Sequence, residues 1–135
     1  MFNLISLRLF IPLLMLVIHS TVQAESLISE HIDIHHFSSL MSENSDNTKI
    51  IDVRTSGEFQ AGHLPDAMLI DFYAKNFVER VKALDKDTTY LLYCRTGNRS
   101  GQTLKLMRNL GFKAAYNMKG GMNKWVPAKY PVIKP

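Results

Sequence analysis

"YLLYCRTGNRSGQ", Tyr90 to Gln102, decides the fold. Thr88–Tyr93 is a β-rich apolar run that ends at Cys94. A short loop containing Gly97 follows. From Ser100 the pattern turns helical, with Leu104, Met107 and Leu110 on one face and Gly111 as the stop. Strand, short loop and helix make up the repeating unit of an α/β domain with a parallel sheet. The same alternation extends in both directions. Lys49–Val53 and Ala67–Ile70 read as strands, and Ala114–Met118 as a later one. His36–Glu43, Thr55–Ala61, Tyr73–Leu84 and Gly121–Trp125 read as helical, with Phe77, Val78, Val81 and Leu84 sharing a face. The tail Tyr130–Pro135 holds two prolines and is expected to lie over the surface.

The chain has 135 residues, enough for one small domain. Its first 24 residues read differently from the rest. Met1–Arg8 is a lead with one positive charge and no acid, Leu9–Ile18 is apolar, and His19–Ala24 is more polar and ends Val22-Gln23-Ala24. That order is a secretory signal's, cleaved after Ala24, which leaves one domain over residues 25–135 with its core at about 31–130. An uncleaved membrane anchor is the alternative, although ten apolar residues are short for a span. Without residues 1–24 the net charge falls from +4 to +3, because only Arg8 is removed. So mild a charge favours small anions locally, and no basic-aromatic stripe supports nucleic-acid binding. The expected location is the periplasm, with the mature form not embedded in the membrane.

An exported chain normally carries cysteines in pairs, but this one has a single cysteine. A lone thiol is either buried filler or reactive. Position favours reactivity. Ligands of parallel sheets sit at the carboxyl ends of strands, and Cys94 lies there, shortly before a helix whose first N–H groups lack partners and carry partial positive charge. A thiolate is stabilised in that place and its pKa falls. Gly97 and Asn98 tolerate left-handed backbone, so the loop can curl its amides inward as an anion nest. Thr96 and Ser100 can add hydroxyl donors, and Arg95 and Arg99 can attract an oxyanion.

Cys94-Arg95-Thr96-Gly97-Asn98-Arg99 resembles the active-site loop of the rhodanese sulfurtransferase family. "DVRTSGEFQAGHLPDA", Asp52 to Ala67, is similar to that family's first signature, and "GFKAAYNMKGGMNKW", Gly111 to Trp125, to its second. The likeness runs from about His31 to Tyr130, and the overall plan resembles the small single-domain periplasmic members. The resemblance implies a three-layer α/β fold, a five-stranded mainly parallel sheet flanked by helices. It also implies a two-step reaction. Cys94 takes the outer sulfur of an anionic donor such as thiosulfate, releases sulfite and becomes a persulfide. A nucleophile then accepts the sulfur: cyanide in an assay, a thiol in the cell, with a protein thiol among the candidates. Neither metal nor organic cofactor is implied. The amides of Arg95 to Ser100 would stabilise thiolate and persulfide alike.

Asp52, Arg54, Glu58 and His63 read as scaffold or as support for the loop, since charges near a sheet end are usually paired. His31, Asp33 and His35 would share one face if that stretch were a strand, a weak metal-ligand pattern with no fourth ligand evident. Two other functions compete with the enzyme. A carrier would hold persulfide sulfur for a partner without turning over. A Cys-dependent phosphatase or arsenate reductase would also use an amide-lined thiolate, but such loops place five residues between Cys and Arg, and here four separate Cys94 from Arg99.

Overall fold

The computed structural model describes residues 25–43 and 45–135. The segment read as a signal, 1–24, lies outside them. Five strands, β1 (Ile28–Ile32), β2 (Thr48–Asp52), β3 (Ala67–Leu69), β4 (Thr89–Tyr93) and β5 (Ala114–Met118), form one sheet in the order β1-β5-β4-β2-β3. Every pairing is parallel. The helices are α1 (Ile34–Ser42), α2 (Ser56–Gln60), α3 (Phe77–Lys82), α4 (Asn98–Asn109) and α5 (Gly121–Trp125). No helix among the described residues is long and apolar enough to cross a membrane.

β4 is central and buried from Tyr90 to Tyr93, as a parallel strand covered on both faces must be. Its side chains alternate between two cores. Tyr90, Leu92 and Cys94 join Val81, Leu104 and Met107 on the side of α3 and α4. Leu91 and Tyr93 join Phe37, Met122 and Trp125 on the side of α1 and α5. The same period of two that buries Leu92 therefore aims the Cys94 side chain toward α4.

Asp52 and Arg54 close the end of β2. The Arg54 Nε lies 2.9 Å from Asp52 Oδ1 and its Nη2 2.7 Å from Oδ2, both within the fold. Tyr93 donates to Asp52 Oδ2 at 2.6 Å and accepts from the Leu64 N–H at 3.0 Å. Arg54 also donates to the Gly62 carbonyl at 2.7 Å. Burial, with Asp52 beside it, raises the Tyr93 phenol well above its ordinary pKa, so it stays a donor.

Two expectations are corrected. The chain leaves β1 at Ile32, and Asp33 caps α1 by accepting from the His35 and His36 amides at 2.9 Å each. His31 instead bonds Asn117, and His35 bonds Tyr130. The three residues therefore share no strand face, and no metal-competent cluster occurs among the described residues. The helix expected over Tyr73–Leu84 forms only at Phe77–Lys82, because Asp71 ties the Tyr73 and Ala74 amides into a turn. Phe77 and Val81 are buried, whereas Val78 faces outward.

Asp52→Ala would leave the Arg54 guanidinium buried without its counter-charge. It should lower the unfolding free energy by about 3–5 kcal/mol in urea titrations. A loss under about 1 kcal/mol would class the pair with exposed ones.

Candidate active site

The loop after β4 wraps one sulfur. Cys94 is fully buried, and its Sγ accepts from the Gly97 N–H at 3.1 Å and the Ser100 hydroxyl at 3.3 Å. Burial by itself would raise the thiol pKa. The Ser100 hydroxyl and N–H, with the Thr96 and Gly97 amides, outweigh it and hold the pKa below the ordinary value. α4 adds its positive end. Among the described residues, no histidine or carboxylate bonds the sulfur. The donors that meet the sulfur, the Gly97 amide and the Ser100 hydroxyl, favour its anion.

The loop holds this shape because its carbonyls are occupied elsewhere. Met122 N–H donates to the Cys94 carbonyl and Asn123 N–H to the Arg95 carbonyl, each at 3.0 Å. That approach requires Gly121, where a Cβ would lie 2.3 Å from the Cys94 oxygen. Gly97 stands at φ +92°, open to glycine but strained for other residues, and a Cβ there would crowd the Met118 carbonyl at 3.1 Å. Asn117 on β5, buried, donates to the Gly97 carbonyl at 3.1 Å and pairs with His31 Nδ1 at 2.8 Å. Its Oδ1 has no partner.

The two arginines have different surroundings. Arg99 spends both ends of its guanidinium on Glu58, at 2.8 and 2.9 Å, and lies 5.6 Å from the Tyr73 ring centroid. Arg95 is exposed and makes no ion pair among the described residues. Arg99 is thus neutralised by Glu58, whereas Arg95 carries no such partner among the described residues. Glu58 is held by Arg99, then opposed by partial burial, then helped by the Thr55 amide and hydroxyl, and its carboxyl sits at about 2 instead of 4.5. Thr55 and Glu58 form a capping box that opens α2.

Of the other expected residues, Thr96 turns its hydroxyl to the Asn98 N–H, at 3.4 Å, and Asn98 begins α4. His63 stacks on Phe59 at 3.7 Å and bonds its carbonyl, so it serves α2 and not the sulfur. Sequence reading missed Asn117, Tyr73 and the Met122 and Asn123 amides. An asparagine inside an apolar strand was the one available sign of the first.

Ser100→Ala removes the hydroxyl donor. Its pH profile of Cys94 alkylation should move to higher pH, with several-fold slower reaction at mildly acidic pH. An unmoved profile would leave the amides as the whole cause. Glu58 has a depressed folded pKa, so its stabilisation is full above about pH 4.5 and is lost as pH falls toward 2. The stability advantage of the wild type over Glu58→Gln should close across that window in urea titrations; a constant advantage would mean that the pair does not form.

Comparison with known proteins places the chain in one family. The family model for the Rhodanese-like domain matches residues 36–128. A sulfurtransferase of Allochromatium vinosum is 28% identical over 92 residues, covering 68% of this chain and 84% of that protein. An adenylyltransferase and sulfurtransferase of Scheffersomyces stipitis is 34% identical over 113 residues, 76% of this chain but only 26% of the relative, so the match is to one part of a longer protein. The crystal structure of a rhodanese-like domain protein from Staphylococcus aureus superposes with a TM-score of 0.63 at 25% identity, over 78% of this chain and 98% of that one. The chain belongs to the Rhodanese-like domain family, and its homologues include sulfurtransferases.

Proposed function

We propose that this chain is an exported, periplasmic sulfurtransferase that moves one sulfur atom from thiosulfate or a similar anionic donor to a nucleophilic acceptor, through a persulfide on Cys94. The observation that carries the reading is the buried Cys94 sulfur, which accepts from the Gly97 amide and the Ser100 hydroxyl and has a lowered pKa. In the first half-reaction the Cys94 thiolate attacks the outer sulfur of the donor. The donor's S–S bond breaks, and sulfite leaves with the electron pair. In the second, the acceptor attacks the outer sulfur of the persulfide. The bond from that sulfur to Sγ breaks, and the Cys94 thiolate returns. Charge sits on sulfur in both resting forms, so the same amides serve throughout, and ping-pong kinetics follow. Arg95, exposed and next to Cys94 in the chain, supplies attraction for the anionic donor. Export rests on the sequence pattern of residues 1–24 alone.

Intact mass of the reduced protein before and after thiosulfate, beside Cys94→Ser, tests the reading. A gain of one sulfur atom is expected, reversed by cyanide and absent in the variant. No gain on a demonstrably reduced thiol would remove thiosulfate as donor; a gain retained in Cys94→Ser would remove the mechanism.

A further inference from the structure

Asn117 on β5 is 2% exposed, yet only one end of its amide is used. Its Nδ2 reaches two acceptors, His31 Nδ1 at 2.8 Å and the Gly97 carbonyl at 3.1 Å. Its buried Oδ1 has no partner among the described residues. A buried amide normally takes the orientation that satisfies both ends. Here the opposite orientation would set Oδ1 against the Gly97 carbonyl, acceptor against acceptor. That carbonyl is also fixed from α4, where the Gly101 N–H donates to it at 3.0 Å.

The same geometry fixes the chemistry of His31. Nδ2 is the donor, so His31 Nδ1 is the acceptor, and the ring is neutral with its hydrogen on Nε2. Gly101 leaves room for the pair, since a Cβ there would stand 3.3 Å from His31 Cε1 and 3.4 Å from Asn117 Nδ2. One residue then separates the pair from the sulfur. Gly97 is the N-cap of α4, and its N–H donates to Cys94 Sγ at 3.1 Å. With no side chain and φ at +92°, the direction of that N–H depends on what holds the Gly97 carbonyl.

His31 is exposed, so protons reach it. β5 presents Asn117 to its ring, and α4 presents Gly101. The nearby charged residues are Glu30 and Asp33 along its own chain, Lys119 just after β5, and Lys105 one turn beyond Gly101. No carboxylate forms an ion pair with the ring among the described residues.

We propose that His31 is a positioning residue for the Cys94 thiolate: its neutral ring orients the Asn117 amide that holds the Gly97 carbonyl, and protonation of the ring releases that hold. The assignment rests on the sulfurtransferase reading above, in which this thiolate attacks the donor. A protonated ring carries a hydrogen on Nδ1 and meets Nδ2 donor against donor. The amide turns, and its free Oδ1 accepts from His31. The Gly97 carbonyl loses the Asn117 donor and faces an acceptor in its place. The Gly97 N–H leaves the sulfur, and the thiolate loses one of its partners.

Two measurements test the assignment, and neither uses a sulfur donor. In the first, the reduced protein is alkylated with iodoacetamide, a neutral reagent, across about pH 5 to 8, where histidine changes charge. Thiolate fraction alone gives a single titration. The wild type should fall below that curve by a further factor of about five at the acid end, the worth of one hydrogen bond. A cation acting through charge alone would instead raise the rate. His31→Gln keeps an acceptor for Asn117 and takes up no proton, so it should follow a single titration and match the wild type at the alkaline end. Identical profiles, or an extra loss that persists in His31→Gln, would overturn the assignment. In the second, nitrogen NMR of the wild type should find Nδ1 of the neutral ring without hydrogen. The Asn117 side-chain amide and the Gly97 N–H should shift together as the ring titrates. A hydrogen on Nδ1 of the neutral ring, or a Gly97 N–H that does not move, would overturn it. A protein that takes up no sulfur from thiosulfate but gives both expected results would sink the sulfurtransferase reading and keep the control of the thiol.

Discussion

Peptide amides can face a buried sulfur only if the carbonyls of the same loop find partners elsewhere. That constraint organises the structure. In this chain the partners come from β5 and from the first residues of α5. Met122 and Asn123, at the start of α5, take the carbonyls of Cys94 and Arg95, and Asn117 takes the carbonyl of Gly97. Each bond holds one loop peptide with its oxygen outward. A buried acceptor left unpaired would cost about 1–3 kcal/mol, so the loop without α5 would turn its carbonyls toward water and its amides off the sulfur. Gly121 is part of this arrangement through the space it leaves, because any Cβ there would meet the Cys94 oxygen.

The charges follow a parallel logic. Near the site, two arginines are committed to carboxylates before any substrate arrives: Arg54 to Asp52 beneath Tyr93, and Arg99 to Glu58 at the rim. The first is buried and fixes where β2 ends. The second is more open and ties α2 to the start of α4. Together they allow a domain with a positive balance to keep a thiolate without crowding it with free cations. The sulfur's stabilisation then comes from oriented dipoles that need no reorganisation when charge moves between sulfur atoms.

The sheet and the loop were legible in the sequence because their signals are local. A buried strand, a glycine and a helical face occupy consecutive residues from Thr88 to Leu110, and the lone cysteine marks their junction. Local signals also misled. The shared face of His31, Asp33 and His35 depended on alternation continuing past Ile32, whereas Asp33 before an apolar turn is a helix-start signal that wins by capping two amides. The length of α3 was overestimated for the same reason, since the apolar spacing begins inside a turn made by Asp71. What no period reveals is contact across the fold. Glu58 and Arg99 stand 41 residues apart, and Asn117 stands 20 from Gly97. Their roles emerge only once β2, β4 and β5 lie side by side.

The committed state of Arg99 bears on the competing chemistry of an amide-lined thiolate. A phosphatase needs its loop arginine to grip two oxygens of a tetrahedral substrate, the fork geometry that makes arginine suited to phosphate. Here that fork already holds Glu58, whose carboxyl remains ionised down to about 2. To serve a phosphoryl group, Arg99 would have to abandon a bidentate partner, leaving Glu58 as a negative charge facing an anion. The sulfur, moreover, accepts from two donors and is fully buried. A sulfur atom is small, weakly hydrated and carries its charge on one centre, which matches a nest of single N–H and O–H donors. A nest so shaped holds one anionic sulfur, in keeping with the sulfurtransferases among the chain's homologues.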